Sequence, residues 1–241
     1  MDRLLPTVRP LGRPIGFQRW RHLLFLHWAV PVEALRPLVP SGLEIDTWDD
    51  LAWIGVVPFT MRDVSPWWSP SVPGISNFHE LNVRTYVHRG GADPGVVFFS
   101  LDAASSLAVV LARLLWHLPY FRASMEMAVE GSFVTYRSRR LWPAPRPADL
   151  TLSYRFGDGL GPAAPGSFEH FLAERYLLYT QHAEQLLVGR VHHRPYPLHP
   201  AELISLSQDL STAADLPPLT GPPHLLYSPG VDVDIFPLRP V

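Results

Sequence analysis

Glu80, Asn82 and Arg84 stand at alternate positions of the run Phe78-His-Glu-Leu-Asn-Val-Arg-Thr-Tyr-Val-His88. Successive side chains of a β-strand point to opposite faces. One face therefore carries Phe78, Glu80, Asn82, Arg84 and Tyr86, and the other Leu81, Val83, Thr85 and Val87. The second face is fit to pack against a protein layer. The first sets an acid, an amide and a guanidinium in a row between aromatic rings, which is the composition of a polar pocket wall. The same alternation also suits an open antiparallel sheet with one face in water, with Glu80 and Arg84 as solvated charges. Glu80 and Arg84 lie about 13 Å apart along such a strand, at about 3.3 Å per residue. They cannot pair directly, so Arg84 is free to clamp a ligand carboxylate.

The next strand extends this constellation. If residues 78–88 pair with 95–102, even positions facing even, Ser100 and Asp102 fall beside Glu80 and Asn82. Two carboxylates on one face raise the pKa of one of them, which is one route to an acid or base working at neutral pH. Asp102 also just precedes the apolar run that begins at Ala103, where aspartate serves as a helix cap.

Other chemistries lack support. The chain has no cysteine, which excludes thiolate nucleophiles, disulfides and Cys-based zinc sites, and all 20 Lys-plus-Arg positions are arginine. A Schiff base needs a primary amine that guanidinium cannot supply, so imine-forming decarboxylases, aldolases and pyridoxal-phosphate enzymes fall away. His79-Glu80 lacks the second histidine of a zinc-binding His-Glu-x-x-His, and the adjacent His192 and His193 face opposite ways on a strand, so no metal is expected. Serine-elbow, phosphate-loop and dinucleotide signatures are missing, and no cofactor is expected.

The elements that must position the row read as a single α+β domain over residues 1–241, mainly antiparallel strands. The 27 prolines disfavour a helical bundle. Strands are expected at 20–30, 124–129, 132–140, 150–156 and 186–193, and a hairpin at 43–61 around Asp49-Asp50. Short helices are expected after Pro31 and over 200–208. Longer ones are expected over 103–118, with Leu107, Leu111, Leu115 and Leu118 on one side, and over 167–180, capped by Ser167. Trp142 to Pro147 reads as a stiff connector, Ser228-Pro-Gly230 as a hairpin turn, and Trp67-Trp68 as a contact surface, a pocket lid or a loop folded onto the core.

A formal net charge of −2 gives no electrostatic reason to expect nucleic acid. The best apolar run, 107–118, is too short for a membrane helix and carries Arg113 and His117. With no signal-type h-region at the N-terminus, a cytoplasmic location is expected. Self-association into a homo-oligomer stays open.

Several blocks carry a family resemblance. They are Phe25-Leu-His-Trp28 with Pro31, Leu35, Pro40, Gly42-Leu43 and Asp46; Ala52-Trp53; Val57-Pro-Phe59; Phe78 to Val87; Phe99-Ser-Leu-Asp-Ala103; Leu118-Pro-Tyr120; Glu174-Arg-Tyr176; and His193 to Leu198. Together they resemble the YqjF-like family of bacterial proteins, itself distantly similar to acetoacetate decarboxylase. The resemblance implies a cone-like antiparallel barrel around a small-molecule pocket, with a few flanking helices. It matches Glu80 to an active-site glutamate of that superfamily. It also sets Leu118-Pro-Tyr-Phe-Arg-Ala123 against the segment that bears the imine lysine, so Tyr120 and Phe121 stand where lysines would be. The expectation is a pocket for a small carboxylate or carbonyl compound. Glu80 and Tyr120 would act on it, while Arg84, Asn82, Tyr86, Ser100 and Asp102 would bind it. The reaction would be a lyase or isomerase step without a Schiff base; the alternative is a non-catalytic binding or sensory module on the same scaffold.

Overall fold

The computed structural model describes residues 1–143 and 147–241. Most of the connector expected between Trp142 and Pro147 lies outside them. The described residues form one sheet of 13 strands: β1 (Gly16–Val30), β2 (Glu44–Ile45), β3 (Ala52–Pro66), β4 (Phe78–Arg89), β5 (Ala92–Ala103), β6 (Tyr120–Glu130), β7 (Phe133–Trp142), β8 (Asp149–Phe156), β9 (Leu177–His182), β10 (Gln185–His193), β11 (His199–Gln208), β12 (His224–Ile235) and β13 (Arg239–Pro240). Among the described residues four α-helices accompany it: α1 (Val32–Leu35), α2 (Ser106–Leu115), α3 (Phe168–Ala173) and α4 (Leu210–Ala213).

The strand order is β13-β10-β9-β5-β6-β7-β8-β11-β12-β1-β3-β4-β2, and further β4–β5 and β10–β12 pairings bring the sheet back onto itself. Among the described residues only β5–β6 and β5–β9 are parallel. This is the mainly antiparallel, helix-poor fold expected, and no described helix is long and apolar enough to cross a membrane.

The closed circuits explain where the core sits. Leu81, Val83 and Val87 of β4 point into one cluster with Leu24, Leu26, Ile54 and Val56. A second cluster gathers Leu23, Phe25, Val57, Phe59, Leu101 and Val191 on the other face. Long strands here are apolar on both sides because each face meets protein. At Gly230 a side chain would be impossible: φ is +136° and a Cβ would meet the Trp20 carbonyl oxygen. Ser228-Pro-Gly230 is thus a close approach inside the continuous β12 rather than a hairpin.

Four other local expectations fail for tertiary reasons. Residues 200–208 form strand β11, because Leu203 and Leu206 pair with Tyr154 and Leu152 of β8. The helix expected through Thr180 stops at Ala173, because Leu177 to His182 pair with β10. Glu44–Ile45 pairs with the end of β4 rather than with β3, leaving only a Trp48–Leu51 bridge around Asp49-Asp50. In α2, capped by the Ser105 hydroxyl, Val109 is the one buried residue, and the expected core stripe of Leu107, Leu111 and Leu115 is exposed.

Candidate functional site

β4 delivers the acid-amide-guanidinium row into a cavity of about 160 Å³. Glu80, Asn82 and Arg84 are 2 %, 6 % and 8 % exposed, so the row looks inward and is closed off from bulk water. The facing walls are largely apolar: Phe25 of β1, Phe59 of β3, Phe98 and Leu101 of β5, Trp116 after α2, and Tyr196.

Glu80 is held from two sides. The Tyr120 hydroxyl donates to its Oε2 at 2.9 Å, and the Tyr136 hydroxyl donates to its backbone oxygen at 2.9 Å. Burial is the largest influence on its carboxyl and raises the pKa from 4.5 to about 8; the Tyr120 hydrogen bond opposes this, and the Asp102 charge adds to it. At neutral pH Glu80 is therefore mostly a neutral acid. Since Tyr120 donates into Oε2, the carboxyl proton belongs on Oε1. Burial, together with Glu80 itself, pushes the Tyr120 hydroxyl well above its usual range, so it stays a donor.

Arg84 is a buried cation with little to hold. Its Nη2 donates to the Leu172 carbonyl at 3.3 Å, and its Nε has no partner. Its guanidinium carbon lies 5.8 Å from the Phe25 ring and 5.7 Å from the Tyr86 ring, and among the described residues no carboxylate pairs with it. The Asn82 side-chain oxygen is likewise buried without a partner. A buried charge or polar atom left unpaired is costly, so such a row invites a ligand that completes it.

Arg175 also borders the cavity, from the stretch where α3 gives way to β9. Its Nη1 donates to Asp46 Oδ2 at 2.7 Å and its Nε to the Phe171 carbonyl at 2.8 Å. Arg3 grips the same carboxylate, donating to Oδ1 at 2.7 Å. Two arginines thus share one acid, and Arg175 Nη2 stays unpartnered. Glu174 next to it accepts from the Tyr176 hydroxyl at 2.6 Å and from the Tyr196 amide at 2.9 Å. His27 is kept neutral by burial, with Arg84 and Arg175 pushing its pKa the same way. Its Nε2 lies 2.6 Å from the Tyr86 hydroxyl, which itself donates to the Leu172 carbonyl at 2.8 Å, so the imidazole proton belongs on Nε2.

Three of the expected ligand-binding residues do not reach the cavity. Val96 faces Tyr86 and Phe98 faces Arg84; regular pairing from there would bring Ser100 to Asn82 and Asp102 to Glu80. A β-bulge at Phe99 intervenes, and Ser100 instead faces Val83 and Asp102 faces Leu81. One extra residue moves every later side chain to the opposite face. Asp102 neither caps α2, which begins three residues beyond the end of β5, nor meets the row. It accepts from Arg140 Nε at 2.7 Å and Nη2 at 3.1 Å in a largely buried pair, with Arg140 stacked 3.8 Å from the Phe121 ring. Ser100 is buried on the far face with its hydroxyl unpartnered. Tyr86 supports the site from behind, spending its hydroxyl on Leu172 and His27.

Arg175, Phe25 and Tyr196 are cavity residues that pattern reading passed over. Glu174-Arg-Tyr176 falls within the helix expected over 167–180, and nothing local marks it as part of a site. Among the described residues no group of three or more His, Asp or Glu side chains is placed to hold a metal ion.

Known proteins place this geometry in context. Among solved structures, the enduracididine biosynthesis enzyme MppR complexed with pyruvate superposes with a TM-score of 0.66 over 97 % of this chain and 93 % of its own, at 12 % identity. Acetoacetate decarboxylase from Legionella pneumophila superposes with a TM-score of 0.63 over 100 % and 96 % of the two chains, at 13 % identity. At such identities the likeness establishes the fold, which is that of the acetoacetate decarboxylase-like proteins. In sequence, the uncharacterized protein YqjF of Bacillus subtilis (strain 168) is 40 % identical over 233 residues, covering 95 % of this chain and 94 % of that one. Residues 17–232 match the model of DUF2071, described as an uncharacterized conserved protein, and the chain belongs to that family.

Proposed function

We propose that the cavity binds a small keto or hydroxy acid and moves a proton on it, as a lyase or isomerase that forms no covalent adduct. Arg84 receives the ligand carboxylate, with Asn82 beside it. Glu80, protonated at Oε1 and steadied by Tyr120, donates to an oxygen of the ligand, either the carbonyl of an enolising keto acid or the departing hydroxyl of a hydroxy acid. The carboxylate this leaves on Glu80 then takes up a proton from the adjacent ligand carbon, which yields the enol or, with loss of water, the alkene and restores the neutral acid. Imine chemistry is closed to the chain, which has no lysine. Where the resemblance sets lysines, Tyr120 supplies a hydrogen bond to the acid and Phe121 stacks on Arg140.

The observation that carries this reading is the pairing, on one strand face, of a counter-ion-free buried guanidinium with a carboxyl raised to about 8. The pyruvate held by MppR, which shares the fold, supports a small keto acid as the ligand class. The missing amine equally suits a module that binds such an acid without turning it over.

The test is calorimetric titration of small keto and hydroxy acids into the wild type, Arg84→Ala and Glu80→Gln, followed by product analysis with each binder. Hydrogen bonds to charged groups contribute about 1.5–3 kcal/mol, so Arg84→Ala is expected to weaken binding by roughly 10- to 150-fold. Turnover lost in Glu80→Gln with binding kept identifies the enzyme, and binding with no conversion in either protein identifies the module. Equal affinities in the wild type and Arg84→Ala would refute the anion grip.

A further inference from the structure

Tyr120 borders two spaces. Its hydroxyl holds Glu80 in the buried cavity, and the residue also borders an open hollow of about 590 Å³ between α2 and the 67–77 loop. Met61, Ala112 and Trp116 border both as well, so the two spaces adjoin through a shared rim. Their chemistry is divided. The inner space holds Glu80, Arg84 and Arg175, whereas no Asp, Glu, Arg or His among the described residues borders the outer one.

The outer walls are apolar side chains left uncovered. Leu107, Leu111 and Leu115 recur every four residues along α2 and are 49 %, 45 % and 63 % exposed, and Trp68 across the hollow is 71 % exposed. A contiguous exposed apolar surface of this kind marks a place where something apolar binds.

We infer that the two spaces form one site for an amphipathic acid, an unbranched carboxylic acid whose head group meets Arg84 and whose hydrocarbon chain lies along α2. The inference rests on the anion-binding role of Arg84 proposed above and names the class of acid. Two features select this occupant over a second protein. The hollow adjoins the charged cavity across side chains common to both. The sequence of environments, a cation deep inside and uncharged apolar walls outside, mirrors a carboxylate followed by a chain. Trp68 and Leu115 then cover the tail from opposite sides.

The experiment is titration of straight-chain acids from butanoate to dodecanoate, below their aggregation limits, into the wild type, Arg84→Ala, Ala112→Phe and Leu115→Gln, with decanol as the headless control. Affinity is expected to rise about fourfold per added methylene over the middle of the series, the equivalent of about 0.8 kcal/mol per buried CH₂. Arg84→Ala is expected to weaken every length at least tenfold, and decanol to bind at least tenfold more weakly than decanoate. Ala112→Phe fills the rim and is expected to lower the decanoate-to-butanoate affinity ratio at least tenfold. Leu115→Gln, on an exposed side chain that leaves the core untouched, is expected to lower the same ratio.

Acids that bind through Arg84 with affinities flat in chain length would overturn this inference and leave the anion grip standing. Binding of no acid through Arg84 would overturn both. A dimer in light scattering that Leu115→Gln dissolves, together with a flat series, would assign the hollow to a second copy and overturn the inference.

Discussion

Replacing Glu80 by glutamine tests the electrostatics of the site without any ligand. The folded carboxyl titrates at about 8 against an ordinary 4.5 because burial disfavours its anion. Between those values the native protein retains a proton that the unfolded chain has released, so stability must fall as pH rises. The contribution of neutral Glu80 is fully present below pH 4.5 and is lost progressively up to about pH 8. At about 1.4 kcal/mol per pH unit the full span corresponds to about 5 kcal/mol, and the practical window from pH 5.5 to 7.5 to roughly 2–3 kcal/mol. Glu80→Gln keeps the size and the hydrogen bond from Tyr120 but has no proton to lose. Urea unfolding of both proteins at pH 5.5, 6.5 and 7.5 is the assay. The wild type should lose about 1.4 kcal/mol per pH unit relative to the variant, or about 2–4 °C in melting temperature for each kcal/mol. Titrations common to both proteins cancel in the comparison. Parallel stability curves would mean that Glu80 ionises freely in the fold, and the neutral-acid role would fall with that result.

Three further outcomes follow from the same contacts. Arg84→Met removes a buried cation with no counter-ion, and is expected to melt at or above the wild type while losing affinity for carboxylates; replacing buried ionic groups by apolar ones of similar volume is often neutral or stabilising by about 1–4 kcal/mol. A fall of several degrees in thermal unfolding would contradict this. Tyr120→Phe deletes the hydrogen bond that holds the Glu80 pKa down, so the alkaline limb of Glu80-dependent turnover, or of the stability difference above, should move upward from pH 8; a downward move would refute the assigned direction of that bond. Arg140→Leu leaves Asp102 enclosed and unpaired, with an expected cost of about 3–5 kcal/mol in denaturant unfolding, and Arg140→Leu with Asp102→Leu should recover part of it.

The row on β4 was legible because alternation is a property of one strand and needs no partner. Glu80, Asn82 and Arg84 share a face wherever β4 sits, and the apolar residues between them require protein on the other side. Its neighbours were not legible for the opposite reason. Whether Ser100 and Asp102 join the row depends on the β4–β5 register, and that register is reset by the single bulge at Phe99. Nothing in Phe98-Phe-Ser-Leu-Asp102 announces a bulge, and its parity decides which side chains see the cavity. The helix expected over 167–180 and the one over 200–208 fail similarly: Leu177 to His182 and Ala201 to Gln208 are ambiguous alone, and their partners β10 and β8 decide them. Arg175 was passed over because its roles depend on Asp46, 129 residues away, and on a helix ending early. In α2 the leucine stripe is real, but periodicity cannot tell a core from a hollow.

The site is therefore built as a charge imbalance held in place by the fold. With Glu80 neutral, the described groups facing the cavity sum to excess positive charge: Arg84 has no partner, and Arg3 and Arg175 divide Asp46 between them. Asp102, which regular pairing would have set beside Glu80, is turned away by the bulge and paired with Arg140. That arrangement costs the empty protein stability, and the β1–β3–β4–β5 walls hold it because each strand is anchored by apolar contacts on its other face. On the proposed function, an entering carboxylate would supply the missing negative charge. By its proximity it also holds Glu80 more firmly in the protonated state, since like charges raise a carboxyl pKa. Under that proposal ligand binding and acid readiness are coupled through the same few side chains, without any covalent group from the protein.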